Sequence, residues 1–373
     1  MRILFSAVPA HGHVLPMMPM ARAAMSAGHQ VSLLTNGAFR ELAEPVPVLA
    51  AGPTFDELSA AHSARTSAHS AAMRTPDDVA EFFVGTRVTA TFDPASAAAA
   101  AFEPGLLIAD AADEVGPLVA AQLGVPWARH SLGTALPPEF AAATAAAARL
   151  FGAARGLHRP ERVAYLDICP VALQAEGWEP PSDRIAVRPT PFDRETSWVP
   201  PAFDEPARPT VLVTLGTMLD DLPLLREALE GLAAVKVNVL VTSMPGRPAP
   251  LPRQSEGWAH DIGFVPLGRV LPLVDAVVCA GGMGTILAVL ASSLPFVSMP
   301  QFPSQRWITK RAADLGAGIV LDGPAGVPGA VVSLLSDNRH HRGAAASAAI
   351  LAEMAEPGVA LAELLEIVTE CSP

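Results

Sequence analysis

Short unbroken apolar runs alternate along the chain with longer segments whose apolar residues recur every three or four positions. This is the rhythm of strands buried on both faces and covered by helices. Arg2–Val8 (RILFSAV) predicts a buried first strand, Val14–Ala27 a helix ended by Gly28, and Gln30–Thr35 (QVSLLT) a second strand, together one βαβ unit. Further strands are expected over Leu106–Asp110, Pro126–His130 and, as the last of this half, Cys169–Leu173. Helices are expected over Leu118–Leu123 and over the Ala-rich segment Glu139–Gly156. Between Phe55 and Ala101 the period weakens, with His62, His69, Met73, Phe82 and Phe83 scattered among Ala, Ser and Thr. Helices whose loops wall a pocket fit that stretch.

The proline-rich, aperiodic stretch Val187–Arg208 reads as an interdomain connection. A second series follows: strands over Pro209–Leu215, Lys236–Thr242, Ile262–Val265, Asp275–Cys279 and Phe296–Met299, with a helix over Leu222–Ala234. A glycine turn and a helix join the last two strands, and a loop follows them to Gln305. Helices over Ala312–Ile319, Val327–Leu335 and His341–Glu356 complete the series, and Val359–Glu370 is an amphipathic helix expected to cross back to the first domain. The fold class is therefore α/β: a Rossmann-like domain over 1–190, a linker over 191–208, a second Rossmann-like domain over 209–356 and a terminal helix over 357–373.

Composition narrows the partners. With 373 residues, half of them hydrophobic and 17% charged, the chain is globular and long enough for two cores. A net charge of −12 argues against nucleic acid and anionic membranes, while leaving room for an anionic small ligand at a helix end. Cys169, Cys279 and Cys371 form no CxxC, which fits a reducing cytoplasm and neither a disulfide framework nor a zinc site. No apolar run reaches the roughly 18 residues of a membrane helix. A cytoplasmic protein is expected.

The chemistry concentrates at strand exits. In Ala280-Gly281-Gly282-Met283-Gly284-Thr285, small residues at a strand-to-helix junction let backbone N–H groups approach a phosphate at the positive helix end. Leu215-Gly216-Thr217 is a second such exit, Phe264-Val265 is placed to receive a base, and the polar run to Ser304 and Gln305 to meet a sugar. The first crossover has no GxGxxG, which speaks against dinucleotide binding. It carries instead His11 and His13. His13 is a candidate general base or, alternatively, a histidine satisfied by backbone. A histidine base needs a carboxylate to hold its tautomer. Asp110, ending an apolar strand, is the candidate, and Asp113 the competitor, better suited to start a helix.

Taken together, these motifs resemble the GT-B family 1 glycosyltransferases of bacterial natural-product pathways, over nearly the whole length. HGHVLPMMPMARAAMSAGHQV is similar to that family's opening segment, VRPTPFD to its linker, TLGT to its first phosphate loop, FVPLGRVLP to its base-binding loop, and CAGGMGT with PFVSMPQFPSQ to its donor signature. The resemblance implies two Rossmann-like domains facing across a central cleft, with no metal and no other cofactor. It implies a nucleotide-sugar donor, a hydrophobic small-molecule acceptor and an inverting transfer, and leaves a homodimer open. It puts the base on His13 and its partner on Asp110, the diphosphate on Gly216, Thr217, Gly282, Met283, Gly284 and Thr285, the nucleotide base on Phe264 and Val265, and the sugar on Ser304 and Gln305. Two departures stand out. The histidine pair of the family's donor signature is Cys279-Ala280 here, and its sugar-binding acid is Ser304. Phe264, where glucose-using relatives carry tryptophan, points towards dTDP-deoxysugars. A non-catalytic partner of another transferase and a nucleotide-sugar epimerase are the alternatives, the first disfavoured by the retained His13 and Asp110, the second because the HGH–aspartate pairing and the FVP loop resemble the transferases more closely.

Overall fold

The computed structural model describes residues 1–66, 75–158, 160–217, 221–244 and 246–370. His69, Met73 and Cys371, singled out in the sequence, lie outside them. The chain forms two compact units. One gathers 1–168, 177–187 and 355–370, the other Cys169–Glu176 and Arg188–Met354.

Among the described residues the first unit is built on a seven-stranded sheet: β1 (Arg2–Ser6), β2 (Gln30–Thr35), β3 (Val48–Ala50), β4 (Leu106–Asp110), β5 (Trp127–His130), β6 (Ala164–Asp167) and β7 (Arg184–Ala186). The order is β3-β2-β1-β4-β5-β6-β7, and every pairing is parallel. Strands buried on both faces explain why β1 and β4 read as continuous apolar runs. Ile3, Leu4, Phe5 and Leu106 to Ala109 are fully buried. The chain leaves β1 in one direction for β2 and returns on the other side as β4, so a crevice opens at the carboxyl ends of these two neighbours. The helix Pro357–Glu370 packs on Met18–Ser26 and closes this unit.

The second unit repeats the scheme with β8 (Thr210–Thr214), β9 (Asn238–Thr242), β10 (Ala259–Gly263), β11 (Ala276–Cys279), β12 (Phe296–Ser298) and β13 (Gly318–Val320), ordered β10-β9-β8-β11-β12-β13 and all parallel. Its switch point falls between β8 and β11, where the chain runs out into Gly216 and Gly281.

Four expectations need correction. Cys169–Leu173 is not a strand; Val171–Leu173 is a single 3-10 turn within the second unit, started by Pro170, which has no N–H for a ladder. The last strand of the first sheet is the three-residue β7, too short to show a period. The helix expected over Ala312–Ile319 lies earlier, over Pro303–Asp314. It ends before Gly316, whose φ of +84° turns the chain into β13. Helical turns already begin at His11, so His13 sits in a helix rather than an exit loop. The stretch 188–208 holds no helix or strand, but it is not free. Phe192 O accepts from Gly268 N (3.0 Å) and Asp193 pairs with Arg269 (2.6 Å), which docks it on the second unit.

Candidate active site

Candidate residues gather at the carboxyl edge of each sheet, one group in each unit. In the first unit β4 ends on Asp110, fully buried, and the helical turn His11–Val14 begins four residues beyond β1. The switch-point geometry brings them together: His13 Nδ1 lies 3.1 Å from Asp110 Oδ1. Asp110 is held on all sides. Its Oδ1 also accepts from Ala112 N (2.7 Å) and its Oδ2 from Val8 N (2.7 Å), so one carboxylate knits both strand exits. Burial alone would raise its pKa. The charge and hydrogen bond of His13, the Val8 N–H and the charge of Arg87 outweigh that and hold the carboxyl below the usual range. An ionised Asp110 can only accept, so His13 donates from Nδ1, and in the neutral ring Nε2 is the nitrogen with the lone pair. With its side chain 18% exposed, His13 can still reach a ligand. Chemically, a histidine held this way can serve as a general base with an orienting partner.

Phe83 lies 6.2 Å from the His13 ring, and half-buried Phe55 and Phe83 pack on Val8, Ala10 and Ala112. Behind them Phe82 meets Phe55 and the buried His62. This apolar wall comes from the stretch whose period was weakest. His11 does not join the pair; it packs on Phe39, 5.3 Å between ring centroids, and burial pushes its pKa down.

Asp113 is engaged elsewhere. It accepts from Ser6 Oγ, from Val115 N and Gly116 N at the start of the helix Val115–Leu123, and from the buried guanidinium of Arg87. Arg129 holds the same loop through Ala111 O (2.6 Å) and Glu114 (3.1 Å). His130, paired with Asp110 in the β4–β5 register, is buried, and desolvation lowers its pKa to about 4, against opposing pulls from Ser131 O and Asp110. Sequence reasoning missed Arg87, Arg129 and His130, because nothing in a pattern marks an arginine as buried.

In the second unit the exit of β11 turns at Gly281, φ +80°. A Cβ there would sit 2.4 Å from Thr309 Cγ2 and 2.6 Å from Ser298 Oγ, so only glycine lets this turn lie against the helix Pro303–Asp314. Gly282 is the N-cap of the helix Met283–Ala291 and offers no side chain to its first-turn amides. At Gly284 a Cβ would meet nothing within 4 Å, so this helix start is open. Gly216, φ +77° and exposed, and Thr217 leave the neighbouring strand β8. Phe264, half-buried, and Val265, buried, follow β10. Ser304 is exposed in the first turn of its helix, and Gln305 caps that helix through Oε1, which accepts from Gln301 N (2.8 Å) and Phe302 N (3.1 Å). What Gln305 has left for a ligand is its Nε2. Cys279 and Ala280 are fully buried, and desolvation raises the Cys279 thiol to about 12, so it stays neutral. Among the described residues no group of three or more His, Cys, Asp or Glu is placed to hold a metal ion. Nor is any helix of the described residues long and apolar enough to cross a membrane.

Comparison with known proteins identifies the architecture. Residues 22–216 match the N-terminal domain, and residues 226–370 the C-terminal domain, of the erythromycin biosynthesis protein CIII-like family. The chain belongs to this family. As a member it is similar to the L-demethylnoviosyl transferase of Streptomyces niveus, 29% identical with 86% of this chain and 85% of that protein covered. It is equally similar to the elloramycin glycosyltransferase ElmGT of Streptomyces olivaceus, 29% identical over 86% and 85%. Among solved structures it resembles SsfS6, a glycosyltransferase of Streptomyces sp. SF2575 solved with thymidine diphosphate, at TM-score 0.80 and 25% identity, covering 98% of this chain and 99% of that one. The two parallel-sheet units are thus the GT-B arrangement of strands and helices, and this family member is a glycosyltransferase.

Proposed function

We propose that the protein moves a deoxysugar from a dTDP-linked donor to a hydroxyl of a hydrophobic natural-product acceptor, with inversion at the anomeric carbon. The observation that carries this reading is the buried Asp110, held by Val8 N, Ala112 N and His13 Nδ1. That arrangement leaves His13 Nε2 to take the acceptor's O–H proton. The acceptor oxygen then forms the new bond to the anomeric carbon while the bond from that carbon to the phosphate oxygen breaks, and the electron pair leaves on the diphosphate. A single displacement of this kind inverts the centre. Asp110 stabilises the imidazolium formed on the way.

The leaving group gathers negative charge, and the open helix start at Gly282, Met283, Gly284 and Thr285, with Gly216 and Thr217 beside it at the switch point, is the arrangement suited to hold it. Phe264 and Val265 would take the base, and Ser304 with Gln305 Nε2 the sugar. A serine offers a hydroxyl where a carboxylate would demand hydroxyl donors from the sugar, which suits a deoxygenated one. The apolar wall of Phe55 and Phe83 suits a hydrophobic acceptor. Solved relatives support both ligand classes, since SsfS6 was crystallised with thymidine diphosphate and a spinosyn rhamnosyltransferase with a spinosyn aglycone. No step in this mechanism draws on a cofactor.

The test is calorimetric titration with thymidine diphosphate and with UDP, followed by incubation with dTDP-rhamnose and a panel of polyketide and phenolic aglycones read by mass spectrometry. Thymidine diphosphate binding tighter than UDP binding, with a glycosylated product, is expected. Absence of binding to either nucleotide would sink the transferase reading, and the non-catalytic partner, suggested by Cys279, Ala280 and Ser304, would replace it.

A further inference from the structure

Arg87 starts the helix Arg87–Phe102 and is 2% exposed, the largest fully buried side chain among the described residues. Its Nη1 donates to Asp113 Oδ1 and its Nη2 to Ala7 O (3.2 Å), while Nε has no partner among the described residues. A buried guanidinium with an unsatisfied N–H is a poor device for stability, since burying polar groups without partners is costly and a buried ion pair is often replaceable by apolar packing. Its contacts point to another purpose. Ala7 immediately precedes Val8, whose N–H holds Asp110 Oδ2, and it opens the segment that runs to His13. Asp113 lies in the loop that leaves Asp110 and is tied back to β1 through Ser6 Oγ. One planar group therefore spans the two segments that deliver the two halves of the acid–base pair.

We propose that Arg87 is a positioning residue for the reaction: its fork fixes the His13 segment against the Asp110 loop, and it sets a cation beside the pair without a hydrogen bond to Asp110. The charged and titratable groups around the pair are Arg87 with Asp113, Arg129 with Glu114, and His130. Arg129 holds Ala111 O from the β5 side, and His130 is buried and neutral, so Arg87 is the group that reaches both segments. A guanidinium is required because its fork bonds two acceptors at fixed geometry, which an ammonium does not.

This inference rests on the reading of His13 as the base. Two variants separate geometry from charge. Arg87→Lys keeps the charge but reaches one segment at a time; it lowers kcat roughly tenfold with thymidine diphosphate affinity and the titration midpoint of the His13–Asp110 pair unmoved. Arg87→Met removes the charge as well; the midpoint of the pair rises by about half to one pH unit, because the protonated pair loses a repelling neighbour. The midpoint is read by NMR on the His13 imidazole, assigned with His13→Gln, in the absence of any substrate. A parent that binds thymidine diphosphate yet transfers no sugar sinks the catalytic reading, and the midpoint still tests Arg87. If Arg87→Met does not give the parent's near-ultraviolet circular dichroism, Arg87→Gln is read in its place. An unmoved midpoint in the neutral variant, or the parent's kcat in Arg87→Lys, overturns the proposal.

Discussion

His13 is useful because everything about its ring except one nitrogen is already decided. Asp110 occupies Nδ1 at 3.1 Å and Phe83 lies beside the ring, so in the proposed reaction proton transfer would fall to Nε2. His13→Ala is therefore expected to lower kcat on the order of 10²–10⁴-fold while thymidine diphosphate affinity, measured by calorimetry, stays within about twofold. Asp110→Asn should lower kcat by a similar order, because an amide no longer fixes the tautomer, again with donor affinity spared. Parental turnover in either variant would remove that residue from the mechanism. That His13 and Asp110 meet was legible in the sequence, because a histidine after the first strand and an aspartate ending an apolar run fall at neighbouring strand exits. Arg87 and Arg129 were not, since their meaning lies in burial and partners that no local pattern carries. His130 offers a prediction of its own. Its pKa falls from 6.5 to about 4 on folding, so between those values the unfolded chain binds the proton and the folded one does not. The stability this group contributes is whole above the unfolded value and is lost as pH falls through that window. By pH 5 the loss is on the order of 2 kcal/mol. Scanning calorimetry should show a smaller drop in Tm between pH 7 and pH 5 for His130→Gln than for the parent, and an equal drop would assign the acid sensitivity elsewhere.

At the scale of elements, the glycine turn after β11 does two jobs at once. Gly281 lets the turn lie against the helix Pro303–Asp314, and Gly282 leaves the next helix start uncapped. Gly281→Ala must accommodate a methyl 2.4 Å from Thr309 Cγ2 at φ +80°, and neither Thr309 nor Ser298 is a side chain that can swing far. A cost of about 2–4 kcal/mol is expected from strain and overpacking together. Tm should fall accordingly and thymidine diphosphate affinity with it, since the same turn aims the first-turn amides. An unchanged Tm would mean that the turn at Gly281 does not lie against the helix Pro303–Asp314. The turn was visible in the sequence as glycines between strand and helix, but the reason for Gly281 in particular was not, because Thr309 lies far along the chain. The misplaced helix teaches the same lesson from the other side. Pro303 at its first turn and Gln305 as its cap are local signals of a start at 303. Apolar spacing over Ala312–Ile319 hid the stop, which Gly316 imposes. The three-residue β7 and β13 carry too few positions for any period to show.

For the whole molecule, the two units carry separate chemistry because each sheet has its own switch point and its own core. Leu4, Val88, Leu107 and Trp127 belong to one core, and Val213, Leu229, Val278 and Val297 to the other. The His13–Asp110 pair belongs wholly to the first unit and the open helix start wholly to the second. Donor binding should then leave a signature confined by topology. Hydrogen exchange with and without thymidine diphosphate is expected to protect 214–217, 263–266 and 281–287 most, because those amides lie at the carboxyl ends of β8, β10 and β11 where the nucleotide is proposed to sit. The stretches 8–14 and 110–116 should change least with the nucleotide alone. Binding should also stabilise the fold by RT ln(1 + [L]/Kd), about 2.7 kcal/mol at a hundredfold excess over Kd, and raise Tm by an amount that must match the calorimetric affinity. Protection centred on 8–14 would move the nucleotide to the first unit. That outcome would turn the helix start at Gly282 into plain packing and leave His13 and Asp110 beside the donor rather than the acceptor.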